Sequence, residues 1–511
     1  MPVKCVSLNR QQMTALKQRI QDRNLSEQDY EVLQGLAEAV QILGEALKEK
    51  DTALGRLCKY LFGAPTESAK NVLKKPEQPV EKPTPEKKPG HGRKPASEYT
   101  GAEKVELRHP SLTPGDHCPD CQKGKVYELA MPSVSVHFTG GAPLKAKVVE
   151  RGRLRCNLCG EVFVPELPED VCDKKHDESA AAMLAILKYG CGFPLNRLEK
   201  LQGHLGQPLP ASTQWDILNA SAITLAPVLD ALIECAAQGH LIHNDDTTMK
   251  VLEFLKETEA DRKGVFTTGI VSHFETHRIG LFMTGHQHAG ENLTELLKRR
   301  ITGLAPPIQM CDALSRNTSK DFETILANCL AHARRQFVEL VDRFPEDCAH
   351  VIEELGTVYH QDEITKKQGL SAEKRLAHHQ EHSKPVMDGL KTYCEKQIEE
   401  QTVEPNSALG KAIQYMLRHW EKLTRFLTVP GAPLDNNICE QILKFAICHR
   451  KNALFYKTQH GAHVGDLFMS LIHTCQFAGV NPLDYLTWLF QNAGEIQNNP
   501  HRFLPWNYQP P

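Results

Sequence analysis

No stretch of this chain is apolar for long enough to span a bilayer, and its N-terminus, MPVKCVSLNRQQM, lacks the apolar core of a secretory signal. No membrane partner is expected, and a cytoplasmic location is. Positive charge is not in excess either: 60 Lys and Arg stand against 63 Asp and Glu, for a net charge of −3. A global basic field for nucleic acid is therefore excluded, and any phosphate-binding surface must be local. A disulfide framework is also missing. The 16 cysteines are mostly scattered singly, which points to reduced thiols plus one metal site. What remains is ordinary composition, 24% charged and 41% hydrophobic, on a chain long enough for several domains.

Residues 1–69 read as a helical region. Leu33, Leu36, Val40, Leu43, Leu47, Leu54, Leu57 and Leu61 keep a 3-4 spacing broken only at Lys50, the seam of a self-associating coiled coil. The alternative is a helix packed on the chain's own core. Ser26, three residues before Asp29, is a helix-start signal. Residues 70–100 form a linker, with six prolines and eight Lys or Arg against three Glu between 70 and 95. Proline excludes a packed helix there and charge keeps the segment solvated. Its end, GHGRKP, carries Arg93 and Lys94 as a small basic hook for a DNA minor groove, or simply as a solvated linker end.

Residues 101–170 hold Cys118-Pro-Asp-Cys121 and, after 34 intervening residues, Cys156-Asn-Leu-Cys159. Two such pairs fit a tetrahedral four-thiolate site for one structural Zn²⁺, with a redox pair as the alternative. The intervening VYELAMPSVSVHF and APLKAKVVERGRLRC alternate as strands should, giving a small zinc-ribbon-like module. Residues 171–238 carry apolar residues at helical period and read as a DNA-binding or connecting region.

The texture then changes. GHLIHNDDTTMKVLEF, GVFTTGIVSHF and RIGLFMTG are strand-like, ENLTELLKRR is helical, and PPIQMCDAL is again an apolar strand-like run. In this β-β-β-α-β order Asp245 closes the first strand and Asp312 the fourth. Asp246 points to the other face and reads as structural. A third acid, Glu440, stands at the start of a helix in PLDNNICEQILKFAICHRKNALF, with Lys444 one turn on and His449, Arg450 and Lys451 beyond. A lone acid at a strand end usually caps a turn. Three at this spacing, each in matching local structure, favour a two-Mg²⁺ site for in-line phosphoryl displacement, with the cations holding phosphates.

This order of elements and acids is that of the ribonuclease H-like fold. The predicted class is multidomain α+β, with a ribonuclease H-like mixed α/β catalytic core, a helical insertion, an N-terminal coiled-coil helix and the zinc-ribbon-like module. The 127 residues between Asp312 and Glu440 exceed a bare core of this kind. Residues 239–337 are accordingly read as the first part of the core, 338–428 as a helical insertion, 429–490 as core completion and 491–511 as a tail. Within the insertion, His378, His379 and His382 read as a solvated helix face. Cys329 and His332, one helical turn apart, read as packing, because a zinc there needs two further ligands that are not evident. Arg334 and Arg335 read as phosphate contacts, or as a solvated helix surface.

These motifs resemble those of the DDE transposases of the insertion sequence 66 family. HNDDTTMKVL is similar to the family's first-acid motif and QMCDAL to its second. CLAHARRQF, residues 329–337, is similar to its Cys-x-x-His-x-Arg-Arg signature. DNNICEQILKFAICHRKNALF places Glu440 at the third acid, Lys444 at a position normally basic, and Arg450, Lys451 and Asn452 on an Arg-Lys-Asn tripeptide. The chain departs from the pattern at Asp246 for Glu, Gln441 for Arg, His449 for Gly and Ala453 for Trp; none of these is a metal ligand.

The resemblance implies a Mg²⁺-dependent enzyme that hydrolyses phosphodiesters at element ends and joins the freed 3′-hydroxyl to target DNA. Asp245, Asp312 and Glu440 would hold the ions. Double-stranded DNA is the expected partner. A homo-oligomer is expected because two ends must be held together, and small accessory proteins encoded by the element are a further implied partner. The rival readings are a structure-selective nuclease or resolvase with the same metal site, and a non-catalytic DNA-binding relic that represses or scaffolds.

Overall fold

The computed structural model describes residues 176–510 apart from 257–261 and 263, the segments 110–129, 140–155, 157–159 and 162–166, and isolated residues among those before 176. Arg93, Lys94, Cys156 and, except for Leu33, the positions of the N-terminal leucine seam lie outside the described residues. The chain divides into two compact units, residues 1–77 with 336–357 and residues 78–335 with 358–511. In the first, the expected helix start at Ser26 is present. The Ser26 N–H and hydroxyl donate to Asp29 Oδ2 at 3.0 and 2.8 Å, and the Asp29 N–H donates back to Ser26 Oγ at 3.3 Å.

The second unit opens with helices α1 (Glu178–Ala185), α2 (Leu195–His204) and α3 (Ala211–Ala237). Five strands follow: β1 (Leu241–Thr248), β2 (Phe266–Phe274), β3 (His277–Gly285), β4 (Ile308–Cys311) and β5 (Ile325–Asn328), with α4 (Ala289–Leu297) between β3 and β4. The β-β-β-α-β order read from the sequence is thus present. The sheet runs β3-β2-β1-β4-β5. Its first three strands form an antiparallel meander, and β4 and β5 extend it in parallel from β1. A parallel junction needs cover on both faces, and β1 and β4 meet it with the buried runs Leu241–Asn244 and Ile308–Cys311. One core joins Leu225 and Leu232 of α3 to Ile242, Ile270 and Leu293 and to helices nearer the C-terminus. Each such side chain contributes roughly 1.5–3 kcal/mol by leaving water.

Contrary to the sequence expectation, one helix among the described residues is long and apolar enough to cross a membrane by length and composition. It is α3, with 27 residues. It carries Gln214, Asp216, Asn219 and Asp230, and it buries Leu218, Ala222, Leu225, Val228 and Leu232 as a core helix does.

Helices α5 (Leu330–Leu340), α6 (Pro345–Lys367), α7 (Ala372–His382), α8 (Lys384–Glu399) and α9 (Ala408–Arg418) precede α10 (Asn437–Ala453), α11 (Gln459–Ala478) and α12 (Pro482–Gln491). The reading of the histidines on α7 as a solvated face is corrected at His379, which is 1% exposed. Its ring sits 3.3 Å from Asp362 Oδ1 and 2.9 Å from Ser383 Oγ. Arg375 and Lys366 close on the same carboxylate at 2.6 and 2.7 Å. Burial works to raise the Asp362 pKa, but the His379 hydrogen bond and the Arg375 and Lys366 charges outweigh it and hold the carboxyl well below its usual range.

Helix α11 lies along β3, the outer strand of the meander. The Thr284, Phe282 and Gly280 N–H groups donate to Asp466 Oδ2 at 2.7 Å, Ser470 Oγ at 3.0 Å and Thr474 Oγ1 at 3.2 Å. The match is geometric: four helical residues rise about 6 Å and two strand residues about 6.8 Å. The helix thereby satisfies an edge that would otherwise template aggregation.

The strand expectation for residues 126–156 is corrected too. Among their described residues only Leu154–Arg155 is strand, paired antiparallel with Val162–Phe163. The alternating pattern has no face to bury here, since Tyr127, Leu129 and Val148 are exposed.

Candidate active site

The register of the sheet sets the site. Leu241 pairs with Ile308 and His243 with Met310 across the parallel β1–β4 ladder, so the same offset places Asp245 level with Asp312. Successive side chains alternate faces, which separates Asp245 from Asp246. Asp246 turns away and holds the start of α4: its Oδ2 lies 2.9 Å from His288 Nδ1 and 3.4 Å from the Ala289 N–H, and its Oδ1 lies 3.4 Å from Arg316. The structural reading of Asp246 accords with these contacts.

Asp245 and Asp312 are joined by a residue that the sequence did not single out. Asn317 Nδ2 donates to Asp312 Oδ1 at 2.6 Å and to Asp245 Oδ1 at 3.2 Å. The Asn317 carbonyl accepts from Asn244 Nδ2 and Gln309 Nε2, both at 2.7 Å, and Gln309 Nε2 also reaches Asn244 Oδ1 at 3.0 Å. This buried amide chain fixes the bridge. Gly290 makes room for it, because a Cβ there would lie 2.3 Å from the Thr318 carbonyl oxygen and 2.7 Å from that of Arg316. The signal for Asn317 is absent from the sequence because it lies in an irregular segment, ALSRNTS, without periodicity.

Glu440 comes from the first turn of α10. Asn436, just before that helix and fully buried, pins its start to β1: Oδ1 lies 3.0 Å from His243 Nδ1, and Nδ2 donates to the Asn244 carbonyl at 3.2 Å. The helix sits so close to the sheet that a Cβ at Gly269, the residue paired with Asp245, would lie 2.9 Å from Leu443. Cys439 Sγ donates to the Gly269 carbonyl at 3.2 Å.

The electrostatics are those of crowded acids. Burial, the charge of Asp312 and smaller contributions from Asp246 and Glu440 push the Asp245 carboxyl up to about 7, against the Asp246 N–H that stabilises its charged form. Glu440 Oε1 is buried without a hydrogen-bond partner; His332 Nε2 lies 3.7 Å away. Cys329 Sγ, His332 and Glu440 offer donor atoms that all lie within 4.8 Å of one another. Cys329 and His332 were expected only to pack, and Glu440 supplies a third donor that the sequence did not reveal.

The expected cations fall in different places. Lys444 and Lys451 are exposed on α10. Arg450 is folded back onto the end of β1, where its guanidinium meets the Thr248 carbonyl and hydroxyl. Arg334 and Arg335 are half-buried on α5. His449 is buried and stacks on Tyr456, with ring centroids 4.7 Å apart. Ala453 ends α10 ahead of Leu454, whose φ is 69°.

Among the zinc-module thiols, Cys118 and Cys121 flank a turn in which the Gln122 N–H donates to the Cys118 carbonyl at 2.9 Å. The Gly124 and Lys123 N–H groups and the Cys118 thiol lower the Cys121 pKa. Cys159 lies in the turn of the two-stranded hairpin. Among the described residues Cys118, Cys121 and Cys159 are not gathered into one cluster.

The profile described as "Transposase IS66 family" matches residues 175–464, a span that includes Asp245, Asp312, Asn317 and Glu440. Three proteins of Sinorhizobium fredii (strain NBRC 101917 / NGR234), each named only as uncharacterized, are similar to the chain. The protein y4qI is 28% identical over 356 residues, 65% of this chain and 63% of that one. The protein y4hP is 26% identical over 401 residues, 72% of this chain and 69% of that one. The protein y4jD is 24% identical over 424 residues, 78% and 79% respectively. With more than half of its length matched by that profile, this chain belongs to the IS66 transposase family.

Proposed function

We propose that the protein is a DDE transposase with a ribonuclease H-like core, in which Asp245, Asp312 and Glu440 together hold two Mg²⁺ ions. The observation that carries the reading is the level placement of Asp245 and Asp312 on neighbouring strands, bridged by Asn317. The donor set fits the ion: three carboxylates are hard oxygen ligands, the Asp245 carboxyl is raised by burial and then by its acidic neighbours, and Glu440 Oε1 is buried without a hydrogen-bond partner. The sheet order supports the fold assignment, since Asp245 lies on the central strand and Asp312 directly follows its parallel neighbour. When bound, the ions lower the pKa of an attacking water or 3′-hydroxyl and stabilise the leaving oxygen.

The chain's own residues do the positioning. Asn317 holds the two aspartates at a fixed separation, while Asn436 and Gly269 seat the helix that delivers Glu440. Lys444 and Lys451 project to solvent, where they meet DNA phosphates. Arg93, Lys94, Arg334 and Arg335 are further phosphate contacts in this reading, and Arg450 braces α10 against β1. Cys118, Cys121, Cys156 and Cys159 hold one structural Zn²⁺, for which the N–H groups around Cys121 are a prepared setting. The partners are double-stranded DNA, further copies of this chain joined through the N-terminal leucine seam, and small accessory proteins encoded by the element.

The test is cleavage of duplexes carrying element ends. Asp245→Ala, Asp312→Ala and Glu440→Ala each abolish cleavage while end binding in a gel-shift assay stays close to that of the parent. Full cleavage by any one variant removes that residue from the site. Strand-transfer products in the same assay separate a transposase from a nuclease that stops at hydrolysis.

A further inference from the structure

We propose that Cys329, His332 and Glu440 form a binding site for Zn²⁺ that shuts off catalysis by engaging the Glu440 carboxylate. The inference rests on the reading of Glu440 as the third catalytic acid.

The three residues come from two helix starts that are fastened together. Cys329 directly precedes α5, and His332 follows three residues later, on the same face. Glu440 is in the first turn of α10. The segments meet through the Asn436 N–H, which donates to Cys329 Sγ at 3.3 Å, and the Leu330 N–H, which donates to the Leu434 carbonyl at 2.9 Å. The donors therefore sit on braced elements.

Their geometry is close to that of a zinc site. Bonds of about 2.0–2.3 Å in a tetrahedron place donor atoms roughly 3.5 Å apart. His332 Nε2 and Glu440 Oε1 are 3.7 Å apart, and all three donors fall within 4.8 Å. Small rotations of the His332 and Glu440 side chains complete the approach. Two atoms of the group are buried and unpartnered, Glu440 Oε1 and His332 Nδ1. Asn317 engages Oδ1 of both Asp312 and Asp245, whereas Glu440 Oε1 has no hydrogen bond.

The donor chemistry selects the ion. A thiolate, an imidazole and a carboxylate suit Zn²⁺, whereas Mg²⁺ takes oxygen ligands almost alone. The same acid would then face two sites, an all-carboxylate one toward Asp245 and Asp312 and a mixed one toward Cys329 and His332. A Zn²⁺ ion in the mixed site leaves the all-carboxylate site with two of its three acids.

The experiment titrates Zn²⁺ alone into the full-length protein at constant Mg²⁺ and follows cleavage of an element-end duplex. Cys329→Ser keeps an acceptor for the Asn436 N–H but supplies no thiolate. It cleaves like the parent in Mg²⁺ and needs at least about tenfold more Zn²⁺ for the same inhibition, a first ligand being worth no less than an outer-shell partner. Equilibrium dialysis counts bound Zn²⁺ independently of activity: the parent holds one ion more than Cys329→Ser or His332→Gln. Equal stoichiometry in parent and both variants overturns the inference, as does inhibition of parent and Cys329→Ser at the same Zn²⁺. A parent that never cleaves in Mg²⁺ refutes the catalytic reading, and the dialysis counts then still decide whether the site exists.

Discussion

Asp245 and Asp246 are adjacent in sequence and lead opposite lives, because a strand turns successive side chains to opposite faces. Asp246 is held by His288, Arg316 and an N–H of α4, while the Asp245 carboxyl is raised by burial and by the charges of Asp312 and Glu440. The consequence is a pH dependence. The Asp245 carboxyl moves from an ordinary 3.8 in the unfolded chain up to about 7 in the native one. The native state therefore holds an extra proton between those values. The contribution to stability is full below about pH 4 and is lost as pH rises toward 7. Asp245→Asn is uncharged throughout. In metal-free buffer its melting temperature gains on the parent's between pH 4 and 7.5, by an amount on the order of a few kcal/mol in stability. Thermal melts at several pH values check this, and a gap that is constant with pH rejects it. The three acids stand out in the sequence, but the expectation that Asp245 closes its strand is corrected: β1 runs on to Thr248, so Asp245 lies within it, while Asp312 directly follows β4 and Glu440 lies in the first turn of α10. Asn317 and Gly269 do not stand out: one lies in an irregular turn and the other acts only through what a Cβ would strike.

At the scale of elements, the strand and helix order around the acids was readable because apolar period switches cleanly from two to 3.6 along residues 239–312. The same alternation misled in residues 126–156, where the described Tyr127, Leu129 and Val148 are exposed rather than buried on one face. The pairing of α11 with the β3 edge was hidden for another reason. It depends on Asp466, Ser470 and Thr474, polar residues whose partners become evident only when a strand is laid beside them. Likewise His379 read as solvated until Asp362 was placed opposite it. Ser470→Ala tests the seam. It leaves the buried Phe282 N–H without its acceptor and costs about 1–3 kcal/mol. Denaturant midpoints measure the loss. An unchanged midpoint shows that the edge finds another partner.

For the whole molecule, a net charge of −3 means that the attraction to DNA required by the proposed function is a property of a few side chains rather than of the surface average. Neutralised phosphates release counterions, and each one steepens the fall of log K against log salt by about 0.9 for duplex DNA. Lys444 and Lys451 are exposed on the helix that carries Glu440, whereas the Arg450 guanidinium is spent on Thr247 and Thr248. The two kinds of residue therefore separate by experiment. Replacing Lys444 and Lys451 together by Ala lowers the magnitude of the salt slope for end binding by about 2 and leaves the melting temperature nearly unchanged. Arg450→Ala moves the melting temperature down and the slope little, because its loss loosens α10 from β1. Fluorescence anisotropy across a salt series reads both. A slope that the double lysine variant leaves intact places the DNA path elsewhere on the chain, away from the face that delivers Glu440.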